Sequence, residues 1–190
     1  MRYPPDQKTK AREAILNAGA RALRTNGYNG IGVDGLAAAA GVTSGAFYSN
    51  FPNKEALLES VIEACLGEPF IDPDAGSLAE RRELLRQWLA NYISVYHREN
   101  PAPGCVMPTL SADVARASPP VREAYGRKMA ELILKMSKVL DGAEPDRERR
   151  AWSIVAIMVG AIAISRALPD GPEANRAIDS ALETATSLIG

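Results

Sequence analysis

The sequence predicts an all-α fold of about nine helices in two parts, a three-helix head over residues 1–54 and a longer helical body over 55–190. Three observations predict it. Apolar residues recur at i, i+3 and i+4 through most of the chain, and no paired alternating runs mark strands. The periodic stretches are separated by short clusters of Pro, Gly, Asn and Asp, such as NPAPG at 100–104 and PDGP at 169–172. Finally, Val33 to Lys54 reads as two short helices around a tight turn, followed by the start of another.

In the head, residues 1–6 read as a loose arm, with Pro4 and Pro5 opposing early helix. A first helix is expected over 7–25, with Ile15, Ala18, Ala22 and Leu23 on one face. Lys8, Lys10 and Arg12 crowd its start, as phosphate contacts or as an ordinary solvated face. Asn26 to Gly30 make a turn, in which Tyr28 reads as a core anchor against the third helix. The second helix begins around Gly32 and Asp34, buries Leu36, Ala37 and Ala40, and ends at Gly41, since glycine takes left-handed dihedrals without a Cβ penalty. Thr43 or Ser44 then caps a helix over about 43–50. That helix is too short to be stable alone. Val42, Phe47 and Phe51 are apolar enough to hold it. Two helices joined by a glycine-bearing turn form a helix-turn-helix, a motif whose second helix enters the DNA major groove.

The body opens with a helix over about 53–66, capped by Asn53 and buried through Leu57, Leu58, Val61, Ile62 and Cys65. It runs from the motif into the body and is a natural lever between the two. After a loop over 68–77, a single long helix is expected from about Ser77 to Glu99, with Leu78, Leu85, Trp88, Leu89, Tyr92, Ile93 and Tyr96 broadly on one side. Helices over about 105–117 and 119–140 follow. The last two span about 146–168 and 172–189. The first of these is apolar nearly all round from Trp152 to Ile164 and must be covered on most sides. The second carries Ile178, Ala181, Leu182, Ala185, Leu188 and Ile189. These two helices either pack within one subunit or meet their symmetry mates in a four-helix interface.

Composition limits the function. A hydrophobic content of 46% in 190 residues supports a sizeable core. The net charge of −1 is divided unevenly. Residues 1–54 hold seven Lys/Arg against three acids, and residues 55–190 hold 15 against 20. A basic head on an acidic body suits binding of phosphates at one end. The N-terminus, MRYPPDQKTKARE, has no apolar core, so no secretory signal is expected. The longest apolar run, 154–164, is 11 residues, short of the ~18–20 of a membrane span, so a cytoplasmic protein is expected. One histidine, His97, and two cysteines without close spacing predict no metal site. No cofactor motif is present. Cys105 follows Gly104 at a helix N-terminus, where the dipole lowers a thiol pKa, and reads as a sensor thiol or a plain small residue. Cys65 reads as buried and inert.

The motif carries a family resemblance. GVTSGAFYSNF followed by NKEALL, and preceded by an amphipathic helix ending in NGYNG, resembles the DNA-binding segment of the tetracycline-repressor family of transcriptional regulators. The likeness runs from about Lys10 to Leu58, a quarter of the chain. It rests on Gly27–Tyr28, LAAAAGV, Ser44–Gly45, Phe47–Tyr48, Phe51 and Lys54–Glu55. The family usually places Thr or Ser just before its second helix, where this chain has Gly32 and Val33. Glycine still caps, and backbone N–H groups at a free helix end still bind phosphate.

The resemblance implies a double-stranded DNA operator as partner, a homodimer through the last two helices, and a small-molecule inducer held in the body. In the head it points to Thr43, Ser44, Gly45, Tyr48, Ser49, Asn50 and Lys54. Thr43 is expected to cap, and Ser44 to cap or touch DNA. Gly45 allows close approach to the groove, and Asn50 could pair with adenine. The resemblance implies phosphate contacts for Tyr48 and Lys54. Trp88, Tyr92, Tyr96, Cys105, Met107, Met129 and Trp152, with His97, Met136 and Met158 beside them, either line an adaptable apolar pocket or fill a core. Two rival readings are an all-helical enzyme and a protein-binding adaptor with a degenerate head. No paired carboxylates, nucleophile–base pattern or phosphate loop supports the enzyme, so none is expected. The charge division and the motif spacing oppose the adaptor.

Overall fold

A computed structural model describes residues 5–190, with side chains from residue 9 onward. Residues 1–4, the greater part of the expected arm, and the side chain of Lys8 lie outside the described residues. Ten helices are present among those described, and no strand. They are α1 (Pro5–Asn26), α2 (Val33–Ala39), α3 (Ser44–Asn50), α4 (Lys54–Cys65), α5 (Leu78–Tyr92), α6 (Val95–Glu99), α7 (Met107–Val114), α8 (Pro119–Ser137), α9 (Glu144–Ala167) and α10 (Pro172–Ser187). The all-α expectation holds. The first helix starts at Pro5, earlier than expected, because proline lacks only an N–H that has no partner in a first turn.

Two compact units divide the chain. One takes the chain up to Glu68 together with Pro101–Lys128; the other takes Pro69–Asn100 and Met129–Gly190. In the first unit, α1 packs against α2, α3, α4 and α7. Its centre is Ile15 and Leu23 of α1, Leu36 of α2, Phe47 of α3, Phe51, and Leu57, Leu58, Val61 and Ile62 of α4, all essentially fully buried. Phe47 and Phe51 are the two largest of these, with ring centroids 5.9 Å apart. They hold the seven-residue α3 in place, as the sequence predicts. Gly41 takes φ +68° directly after α2, the left-handed stop expected of it.

In the second unit, α9 packs against α10 and α6, and α10 against α5. The expected helix over 77–99 is broken. Ser77 starts it with a reciprocal capping box to Glu80, but Tyr92 ends it. Ser94 has extended backbone, and its hydroxyl accepts from the His97 amide at 3.1 Å while donating to the Asn91 carbonyl at 2.8 Å. A serine side chain that serves both helix ends offers the backbone an alternative to continuing the helix. The break buries His97 and Arg98 and turns Tyr96 outward, 69% exposed, off the apolar side predicted for it.

The sequence predicts that α9 is covered on most sides, and this unit covers only one stripe. Ala151, Ile154, Val155, Met158, Ala161, Ile162 and Ser165 are buried, while Trp152 and Ile164 are 47% and 58% exposed. By length and composition α9 could cross a membrane, and 39% of its apolar window is buried. Its 24 residues exceed the 11-residue run read from the sequence, since a helix tolerates polar residues between apolar ones. Core helices pass the same test.

Phe47→Ala should destabilise the first unit by about 3–5 kcal/mol, the usual range for emptying a buried phenylalanine site. Chemical denaturation followed by far-UV circular dichroism would measure it. A loss under about 1 kcal/mol would mean that α3 is held by something other than this ring.

Candidate nucleic-acid interface

The helix-turn-helix consists of α2, the turn through Gly41 and α3. At the start of α3 the Thr43 hydroxyl oxygen accepts from the Ala46 amide at 3.2 Å, the capping role expected of it. The Ser44 hydroxyl donates to Asp34 Oδ1 at 2.6 Å. Asp34 lies in the first turn of α2, so this bond ties the two helices of the motif together. Gly32, at the α2 N-cap, makes no side-chain cap bond, and a Cβ there would meet nothing within 4 Å. Packing within the chain therefore does not exclude a side chain at that position.

Three expected contact residues of α3 lie outward. Gly45 is exposed, and a Cβ added there would meet only Thr43 Oγ1, at 3.9 Å. Tyr48 is 54% exposed, its ring edge-on to Phe47 with centroids 5.6 Å apart. Ser49 is exposed and donates to the Ala46 carbonyl at 2.8 Å. Asn50 is turned inward. Its Nδ2 donates to the same carbonyl at 2.9 Å, and its Oδ1 is buried without a hydrogen-bond partner.

Arg12 shows a role that the sequence left open between phosphate contact and solvated face. Its guanidinium donates to the Asn50 carbonyl at 2.7 Å and to Ser60 Oγ at 3.3 Å, and lies 4.2 Å from the centre of the Phe51 ring. It thus closes the C-terminal end of α3 against α4, where a cation also suits the helix dipole. Only the fold brings residues 12 and 50 together.

Lys54 begins α4 and is half-buried. Its ammonium donates to the Tyr28 carbonyl and sits 4.1 Å from the centre of the Tyr28 ring. Burial pushes its pKa down, and the nearby Asp113 carboxylate works in the opposite direction. Tyr28 is half-buried, and its amide donates to Asp113 Oδ2 at 3.0 Å. It anchors the α1–α2 turn to Lys54 and α7, where a packing role against α3 was expected.

The body candidates fall in both units. Cys105 and Met107 belong to the first. Cys105 is half-buried, its sulfur accepting from the Met107 amide at 3.4 Å, and Met107 is buried. Trp88, Tyr92, Tyr96, Met129 and Trp152 belong to the second. Trp88 Nε1 donates to the Pro69 carbonyl at 3.0 Å. Its ring stands between Phe70 at 5.1 Å and Tyr92 at 5.5 Å, and the His97 ring lies edge-on to Tyr92 at 4.6 Å. Burial holds His97 toward its neutral form. Met129, Met136 and Met158 are buried, while Tyr96 and Trp152 are exposed. Cys65 is half-buried, and burial raises its pKa, which keeps the thiol protonated. No cluster of three or more metal-binding side chains occurs among the described residues.

A short exposed helix, braced from behind and set after a glycine turn, has the geometry of a helix-turn-helix motif. Residues 15–61 match the family model described as bacterial regulatory proteins, tetR family. The nucleoid occlusion factor SlmA of Marinobacter nauticus is 31% identical over 105 residues, 54% of this chain and 53% of that protein, so the chain spans about half the length of that relative. The HTH-type transcriptional repressor DhaR of a Mycobacterium species is 25% identical over 146 residues, 75% of this chain and 72% of that protein. Among solved structures, reduced Escherichia coli NemR superposes with a TM-score of 0.74 at 22% identity, covering 95% of this chain and 97% of its own. A tetR-family regulator from Cytophaga hutchinsonii gives 0.71 at 20% identity, covering 100% and 96%. The family match over residues 15–61, the repressor relative and the shared fold together support a tetR-family DNA-binding transcriptional regulator. Proteins of this family are generally not enzymes, and no enzyme family is indicated.

Gly45→Ala separates folding from binding. The new methyl meets only Thr43 Oγ1, at ordinary van der Waals distance, so stability should hold or rise by up to about 1 kcal/mol from helix propensity. Affinity for duplex DNA should fall by about 1–3 kcal/mol, the scale of one disturbed base-pair contact. Fluorescence anisotropy would read the affinity; unchanged binding would place the groove contact elsewhere on the head.

Proposed function

We propose that this chain is a homodimeric repressor that binds a palindromic operator through α3 and is released from it by a small apolar or aromatic molecule. The observation that carries the reading is the outward face of α3, where Gly45, Tyr48 and Ser49 are presented on a helix anchored from the other side by the fully buried Phe47. The basic head and acidic remainder support it. The relative named as a transcriptional repressor supports repression over activation. Lys54, with three donors of which one goes to Tyr28, has two left for a phosphate. Since α3 itself carries no Arg or Lys, specificity would rest on small polar groups, close backbone approach and DNA shape. A protein acting on such an operator works in the cytoplasm.

Homodimerisation through α9 and α10 is supported by the stripe of α9 opposite its buried one. Trp152 and Ile164 are exposed there, with Ala156 between them. A second copy would bury this stripe. The aromatic series Phe70, Trp88 and Tyr92 supports an apolar or aromatic ligand in the second unit. By linkage, the ligand would weaken DNA binding by the factor by which DNA weakens ligand binding.

Selection of duplexes from a random-sequence pool, followed by a salt titration on the winner, tests the DNA reading. A palindrome with half-sites ~34–36 Å apart, or a multiple, is expected. The affinity should fall steeply with salt, by about 0.9 log units per log unit of salt for each phosphate contacted. No enrichment by a folded dimer would overturn this reading in favour of a protein-binding adaptor. Trp152→Asp should yield a folded monomer in sedimentation velocity, with sharply weakened operator binding; a persistent dimer would move the interface off α9.

A further inference from the structure

Helix α7 and the segment just after it are tied to α1, the α1–α2 turn and α4 by three hydrogen bonds, two of which meet around Tyr28 and the start of α4. Thr109 Oγ1 donates to the Arg24 carbonyl at 3.0 Å, near the end of α1. Asp113 Oδ2 accepts from the Tyr28 amide in the α1–α2 turn at 3.0 Å. The Ser118 amide, in the segment after α7, donates to Glu55 Oε1 at 3.0 Å, in the first turn of α4. At the same place the Lys54 ammonium is bonded to the carbonyl of the Tyr28 whose amide Asp113 holds. The Asp113 side chain is only 12% exposed, although its other oxygen is held by the exposed Arg116 at 3.1 Å.

A half-buried lysine faces two difficulties as a phosphate ligand. Its ammonium must remain charged despite desolvation, and its flexible stem must be held in one place. The surroundings of Lys54 meet both. The Tyr28 ring and carbonyl fix the ammonium on one side. The Asp113 charge opposes loss of the proton. An α1–α2 turn free to move would lose the Tyr28 ring and carbonyl together.

We propose that Asp113 is a positioning residue for DNA binding: by holding the Tyr28 amide it fixes the α1–α2 turn, and through that turn it sets the Lys54 ammonium where a DNA phosphate meets it. This rests on the phosphate role given to Lys54 above. Asp113 itself touches no DNA, and α7 thereby acquires a direct hold on a DNA contact.

The test uses the full chain, random-sequence duplex DNA, and the variants Asp113→Ala, Asp113→Asn, Lys54→Met and the Ala/Met double, each checked by thermal unfolding. Lys54→Met should lower the salt slope by about 0.9 and the affinity roughly five- to tenfold at 0.1 M salt, the loss of one phosphate contact. Asp113→Ala should do the same, and the double variant should bind no worse than Lys54→Met alone. Asp113→Asn, whose amide oxygen still accepts from the Tyr28 N–H, should keep the wild-type slope at a pH low enough to hold the Lys54 ammonium charged without the carboxylate. If Asp113→Ala proves unstable, Asp113→Ser carries the same expectations. Removing a carboxylate that merely repelled DNA would raise affinity, so a gain in Asp113→Ala overturns the proposal. So does an unchanged slope, or losses that add in the double variant, when Lys54→Met behaves as expected. An unchanged slope in Lys54→Met overturns the phosphate role itself, and the positioning role with it.

Discussion

Burial of Phe47 and Phe51 is the interaction on which the head depends. A seven-residue helix gains too few backbone hydrogen bonds to offset the ordering of its first turn. Two aromatic rings fully withdrawn from water change that balance, because each contributes several times the net value of a hydrogen bond. The helix they hold therefore exists only against α1 and α4. One consequence is functional: the inward side of α3 is committed to packing, which leaves Gly45, Tyr48 and Ser49 as its outward surface.

Polar groups around α3 then set its ends. Thr43 caps it, Ser44 ties it to α2 through Asp34, and Arg12 takes the Asn50 carbonyl at its far end. Each such bond is worth about 1 kcal/mol net, so together they fix geometry more than they supply stability. They also use up side chains that resemblance would aim at DNA. Ser44 and Asn50 both have their donors engaged within the protein. Under the proposed DNA reading, such a head would lean on backbone approach at Gly45 and on the exposed Tyr48 ring more than on a row of side-chain donors.

The second unit follows the same logic with a different outcome. Its helices cover one stripe of α9 and leave the opposite one, with Trp152 and Ile164, in water. The break at Ile93–Ser94 brings His97 beneath Tyr92, and Arg166 reaches the carbonyls of His97 and Arg98 at 2.7 and 3.0 Å. Carbonyls at the end of α6 are thus satisfied by a neighbouring side chain, and the Tyr92 carbonyl at the end of α5 is bonded to His97 Nδ1 at 2.8 Å, as buried carbonyls must be.

The sequence by itself determined what is local and periodic. It showed that the chain is helical, where Gly41 and the Pro-Gly clusters interrupt it, that Thr43, Asn53 and Ser77 start helices, and which residues of α3 and α4 are buried. Those features depend on spacing and on backbone chemistry within a few residues. It missed the break at Ser94, because a serine at that spacing is equally compatible with an exposed site on a continuous helix. Only the tertiary structure decided the long-range pairings: Arg12 with Asn50, Lys54 with Tyr28, and Asp113 with the amide of a residue 85 positions away. A hydrogen bond across such a distance leaves no periodic trace in the chain, since it depends on how α1, α4 and α7 pack and not on any one of them.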